Sequence, residues 1–140
     1  MLKKTNKLWL CLPFILVSLC DGSITLHGQS ALYWSGNYHL SDESFPAFNW
    51  ALQQGPWVFI LQSLLWIAFF SALILFLPDF VSEALSLALT MGHTWGVMTW
   101  LVYNLQLNYL LCLLYFGLIA IIYTYCYRQW LSHRYRSPHD

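Results

Sequence analysis

The feature that most constrains this chain is an apolar run of 22 residues without a charge, Pro56–Leu77. As an α-helix the run would be about 33 Å long, and the hydrocarbon core of a bilayer is about 30 Å thick. A surface helix of a soluble protein keeps one polar face for water, which this run lacks. The run therefore predicts a membrane-spanning helix.

The composition of the whole chain agrees with that prediction. Hydrophobic residues make up 59% and charged residues 9%, whereas soluble domains carry about 25% charged residues. Each span uses about 20 residues, so 140 residues leave room for one membrane domain over residues 1–140. The net charge is zero and no basic stripe crosses the middle of the chain, which excludes a nucleic-acid partner and leaves the lipid bilayer as the expected one.

Three more segments have spanning length. Two contain few charges, and the first has Asp21 inside it. The sequence thus predicts an all-α integral membrane protein, a small bundle of four transmembrane helices at residues 8–27, 56–77, 80–102 and 107–127. A secretory signal peptide ending near Cys20 is the alternative for the first segment, because a lysine-bearing start and a 13-residue apolar core precede that cysteine.

The connections differ in length. Pro78-Asp79 predicts a tight turn between antiparallel helices, with Asp79 as the N-cap of the second. Residues 28–55 form a long outer loop, in which Ser44–Gln54 has the pattern of a short interfacial helix lying along the membrane surface.

The basic residues predict the orientation. All six lie near the ends of the chain: Lys3, Lys4, Lys7, Arg128, Arg134 and Arg136. The positive-inside rule then places both termini, including a tail over 128–140, in the cytoplasm of a multi-pass cell-membrane protein. Aromatic residues near the predicted helix ends, Trp100 and Trp130 among them, are expected to be interface anchors.

Chemistry inside the bilayer would involve Asp21 and His93, which lie at comparable predicted depths. A charge at the centre of a membrane helix costs about 2.5 to 3.5 kcal/mol on insertion scales, so each residue needs a partner or a role. A contact between the two is therefore a candidate intramembrane polar pair.

Small polar residues would support this pair. Ser18 and Thr25 share a helix face with Asp21, and Ser86 and Thr90 recur on the third span, so these four residues predict a polar seam. Gly92 and Gly96 form a GxxxG pair, which predicts close helix packing and makes the third span the packing centre.

The outer loop collects His39, Asp42 and Glu43, with His27 close by in sequence. These donors are of types that bind divalent metals, but their spacing matches no metal motif, so we expect no metal and no cofactor. The chain also contains no nucleophile elbow, phosphate loop or zinc-protease motif, and no catalytic residue is assigned.

One resemblance covers about residues 8 to 105. It rests on Leu19–Leu26, Tyr33-Trp34, Glu43–Pro46 and Gly92–Gly96. These segments resemble a family of small bacterial four-helix membrane proteins of uncharacterised activity, with an aspartate in the first helix and a Glu-x-Asn-Pro-like segment after the outer loop. Phe45 stands where that family has asparagine. The resemblance implies an uncleaved first helix containing Asp21 and a bacterial inner-membrane location, and it implies no activity.

The function expected from the sequence is a non-enzymatic membrane module for partner binding or assembly, in a homo-oligomer or with another membrane protein. The alternative is a proton or ion pathway, or a membrane-embedded enzyme, that uses Asp21 and His93.

Overall fold

A computed structural model describes residues 7–104, 106 and 108–135 of the chain. Helix accounts for 87% of these residues, and they contain no β-strand. The α-helices are α1 (Leu8–His27), α2 (Ala31–Trp34), α3 (Pro46–Gln54), α4 (Pro56–Phe76), α5 (Asp79–Thr99) and α6 (Tyr109–Tyr135). A 3-10 turn, Tyr38–Leu40, precedes α3, and a π-helical segment, Trp100–Asn104, follows α5.

The all-helical fold class is confirmed for the described residues, and three of their helices are long and apolar enough to cross a membrane: Leu8–His27, Pro56–Phe76 and Tyr109–Arg134. Helix α5 has a similar length of 21 residues, but its serines, threonines, His93 and Glu83 make it less apolar. The last helix continues to Tyr135, beyond the predicted end at Tyr127, and residues 136–140 of the predicted tail lie outside the described part of the chain.

Proline and glycine set the helix boundaries. Pro46 and Pro56 each occupy the first position of a helix, where their missing N–H leaves no hydrogen bond unmade. Gly55 joins α3 to α4 with φ of +119°, a conformation that favours glycine. Asp79 was predicted as the N-cap of α5, which is wrong: Pro78 holds that place and Asp79 lies in the first turn.

Helix α1, and not α5, is the packing centre of the bundle. It packs against α4, α5 and α6, whereas α5 packs mainly against α1. Leu10 and Phe14 of α1 form a buried cluster with Ile74 of α4 and Trp130 of α6. A second cluster joins the loop to α4 and contains Tyr33, Ala51, Leu52 and Phe59.

Each end of the bundle has its own contacts. Helices α1 and α5 run parallel, because Lys7 contacts Ser82 at one end and Gly28 contacts Trp100 at the other. The first end also holds Asp79 and Arg134, and we name it the basic end. The opposite end carries residues 28–55, and we name it the loop end.

Two predicted interface anchors are core residues instead. Trp100 is buried against Gly28, where an added Cβ would lie 2.4 Å from the indole ring. Trp130 is 2% exposed, and the Arg134 guanidinium lies 5.1 Å from its ring centroid. Both tryptophans fill space between helices, which a count of aromatic residues near helix ends does not reveal.

Candidate functional site

Asp21 of α1 and His93 of α5 are brought together inside the bundle. Nδ1 of His93 lies 2.7 Å from Oδ2 of Asp21, and the two side chains are only 19% and 15% exposed. An ionised carboxylate only accepts hydrogen bonds, so the imidazole donates through Nδ1–H when Asp21 is charged. The hydrogen bond therefore links α1 to α5.

The two glycines of α5 have different surroundings. A Cβ at Gly96 would lie 2.7 Å from Oδ1 of Asp21, so the absence of a side chain there makes room for the carboxylate. A Cβ at Gly92 would meet nothing within 4 Å. Within the described part of the chain Gly92 therefore faces open space, and its predicted role in helix packing stays a prediction. Gly96 accommodates a side chain and not a neighbouring backbone.

That open space is a cavity of about 520 Å³. Its walls come from α1, α3, α4, α5, the loop segment 42–45 and the π-helical segment, and both Asp21 and His93 line it. The polar pair is thus accessible from a cavity large enough for a small molecule.

The loop closes over the cavity through Asp42. Its backbone N–H donates to Oε1 of Gln29 at 2.9 Å, and the Gln29 amide donates to the carbonyl of Asp42 at 3.1 Å. Asn104 donates to the Asp42 carboxylate at 3.2 Å. Gln29 and Asn104 thus position the loop, and no motif in the sequence marks either residue.

Glu43 also lines the cavity. Burial raises the pKa of its carboxyl above the usual 4.5, and the nearby carboxylates of Asp21 and Asp42 raise it further. Hydrogen bonds from the backbone N–H groups of Phe45 and Ser44 act in the opposite direction.

The structure does not bring all of the outer-loop candidates together. Asp42 and Glu43 line the cavity, but His39 lies in the 3-10 turn and is not part of the cavity wall. Within residues 7–104, 106 and 108–135, no three His, Cys, Asp or Glu side chains come together as a metal-binding group.

The predicted seam residues are all buried, but their hydrogen bonds differ. Ser86 donates to the carbonyl of Leu10 at 2.6 Å and so links α5 to α1. Thr90 donates to the carbonyl of Ser86 within its own helix. Thr25 is buried on α1, while the buried hydroxyl of Ser18 has no hydrogen-bond partner and lines the cavity.

The basic end contains an ion network that the sequence analysis missed. Lys7 lies 3.0 Å from Asp79, and Arg134 lies 3.4 Å from Asp79 and 3.6 Å from Glu83. Tyr127 donates a hydrogen bond to Glu83 at 3.2 Å. The turn at Pro78 has no basic residue of its own, but the two ends of the chain supply the charges.

Comparisons with family models, curated proteins and solved structures found no match to this chain.

Proposed function

We propose that this chain is a non-enzymatic binding module of the cell membrane, with a small molecule as its ligand in the cavity beside Asp21 and His93. The observation that carries the proposal is the position of this polar pair on the wall of a cavity of about 520 Å³. A pair that served helix packing alone would be expected in a closed interface, because every open face costs packing contacts.

The proposal includes four spans with both termini in the cytoplasm. Helix α5 is the least apolar of the four, but its polar groups are satisfied: His93 contacts Asp21, and Glu83 contacts Arg134 and Tyr127. Such pairing is what makes polar residues tolerable in a membrane bundle. The association of Lys7 and Arg134 at the basic end supports a common side for both termini.

The same account makes α3 an interfacial helix. Phe45 just before it and Trp50 within it are exposed, whereas Leu52 on the other face is buried in the loop cluster. Exposed aromatic residues are favoured at the boundary between headgroups and acyl chains.

The seam favours binding over a proton pathway. Between His93 and the basic end, Ser86 and Thr90 are buried and donate to backbone carbonyls. Ser86 thereby links α5 to α1, whereas Thr90 bonds within its own helix, so both hydroxyl protons are already engaged. The cavity lies on the loop-end side of this seam, and we assign it to a ligand from the outer side.

The experiment is to fill the cavity. Gly92→Leu places a side chain in open space and should fold normally, since leucine also has a higher helix propensity than glycine. Gly117→Leu is the matched control, because a Cβ at Gly117 also meets nothing within 4 Å and Gly117 does not line the cavity.

Native mass spectrometry of the three proteins in mild detergent reads out the bound molecule. Wild type and Gly117→Leu should retain a small molecule that Gly92→Leu lacks, with thermal unfolding similar in all three. The same bound species in all three proteins, or none in any, would contradict a ligand site in this cavity.

A further inference from the structure

The cavity wall is acidic. Asp21, Asp42 and Glu43 all line it, and no lysine or arginine is among its lining residues. Asp21 is hydrogen-bonded to His93, and Asp42 accepts from Asn104. The Glu43 carboxylate accepts a hydrogen bond from the N–H of Phe45 and keeps further lone pairs for a donor.

A second, independent feature of the cavity wall is a buried hydroxyl without a partner. Ser18 is 95% buried (5% exposed), and its hydroxyl oxygen has no hydrogen-bond partner. The residue lines the cavity one helical turn before Asp21. Buried hydroxyls normally have a partner, because an unsatisfied one costs its full desolvation free energy. If the Ser18 side chain turns toward the cavity, a ligand with N–H donors would satisfy it together with the carboxylates.

Aromatic rings form much of the remaining wall. The Phe48 ring centroid lies 5.7 Å from that of Trp66 and 5.8 Å from that of Phe59, and Phe45 lies 5.3 Å from Phe48. Trp100 lines the same cavity. Ring faces attract cations and also pack against apolar groups.

Resting on the proposed binding function, we propose that the ligand is an organic monocation, with a primary ammonium group on an apolar body. The ammonium donates to Ser18, Asp21 and Glu43, and the apolar body packs against the rings of Phe48 and Trp66. A neutral or anionic molecule of the same shape would leave the acidic wall without a counter-charge.

Three probes with the same four-carbon chain test this assignment: n-butylammonium, 1-butanol and butyrate. Each is titrated into the full-length protein in a neutral detergent at constant ionic strength, and tryptophan fluorescence reports binding, because Trp66, Trp95 and Trp100 line the cavity. We expect butylammonium to bind at least about tenfold more tightly than butanol, and butyrate to bind most weakly.

Glu43→Gln should reduce the preference for butylammonium over butanol by about threefold or more. Glu83→Gln is the control, because this carboxylate lies at the basic end outside the cavity, and it should keep the wild-type preference. A preference unchanged in Glu43→Gln would overturn the role of that carboxylate.

The failure of this inference is distinguishable from failure of the binding function. Equal binding of butanol and butylammonium, abolished in Gly92→Leu, would show a ligand cavity without charge selectivity and would overturn the cation assignment alone. No binding of any probe, together with no co-purified molecule in wild type, would overturn both.

Discussion

At the residue scale, two residues and the cavity accommodate the Asp21 carboxylate inside the bundle. His93 provides a hydrogen bond, Gly96 leaves the volume that the carboxylate occupies, and the cavity leaves one side of it open. An unpaired charge at this depth would cost about 2.5 to 3.5 kcal/mol on insertion scales. Each of these three features can be changed separately by mutation.

Changing Asp21 separates hydrogen bonding from charge. Asp21→Asn keeps an acceptor for His93 and should unfold at nearly the wild-type temperature. Asp21→Leu leaves His93 without its partner and should lower the free energy of unfolding by about 1 to 3 kcal/mol. Thermal unfolding in detergent measures both. Equal stability of the two variants would mean that the contact contributes nothing to the fold.

The affinity for the ligand should depend on the charge of residue 21 and not on the shape of its side chain. Asp21→Asn is expected to fold normally but to bind the cationic ligand more weakly, because the acidic wall has lost one carboxylate. Wild-type affinity in Asp21→Asn would remove this residue from the binding site.

The glycines of α5 provide a matched pair of substitutions. Gly92→Ala adds a methyl group to open space and should be neutral or stabilising by up to about 1 kcal/mol. Gly96→Ala pushes the methyl group against the Asp21 carboxylate, which must leave His93, and should be destabilising. Denaturation of both variants measures the difference. The account requires Gly96→Ala to be the less stable of the two.

At the element scale, the sequence predicted the long helices well but not their surroundings. Apolar run length determines where a helix can span, so α4 was placed within one residue of its observed end. The extension of α6 past Tyr127 was missed because polar residues follow there, and the helix continues while Trp130 packs against α1. Periodicity does not show which neighbour fills the space beside a residue.

The candidate site was likewise predictable from the sequence only in part. The contact between Asp21 and His93 follows from depth and helix spacing, which the sequence contains. The cavity depends on the loop segment 42–45 folding back over α1, and Gln29 holds it there. A loop fixed by side-chain to backbone hydrogen bonds has no periodic signal, so its contribution could not be predicted.

Ionisation of Glu43 in the loop segment should make the free energy of unfolding depend on pH. The raised pKa of Glu43 means that ionisation costs more in the folded chain than in the unfolded one. The stability linked to this group is therefore complete below the ordinary value of 4.5 and is lost as pH rises through the folded-state pKa.

Glu43→Gln removes this dependence. We expect the unfolding temperature of Glu43→Gln minus that of wild type to increase as the pH rises from about 4 to about 7. Thermal scans in detergent across this range give the comparison. Parallel curves for the two proteins would show that Glu43 titrates normally.

At the scale of the whole molecule, residues near the start and the end of the described part of the chain come together. Lys7 and Arg134 both contact Asp79, which joins the start of α1, the start of α5 and the end of α6. Such a network at one surface of the bundle is consistent with an even number of spans and one common side for the termini.

Reporter fusions test this topology. A reporter after Asp140 should be active as a cytoplasmic fusion, and an insertion near Asn37 should be accessible from outside, because the loop end is opposite the basic end. A fusion at Arg134 that reads cytoplasmic serves as the internal control. An external reporter after Asp140 would contradict the four-span arrangement.

The central claim is that water and solutes reach the Asp21–His93 pair from the outer side. Ser63 lines the cavity, and its neighbour Leu64 is exposed on the outside of the bundle without lining the cavity. Cysteines at these two positions, labelled in intact cells with a charged, membrane-impermeant thiol reagent, test the claim directly against the background of the four native cysteines. The account predicts that Ser63→Cys is labelled above this background and that Leu64→Cys is not, because a thiol that faces lipid stays protonated and unreactive. Labelling of Leu64→Cys alone, or of neither variant, would contradict it.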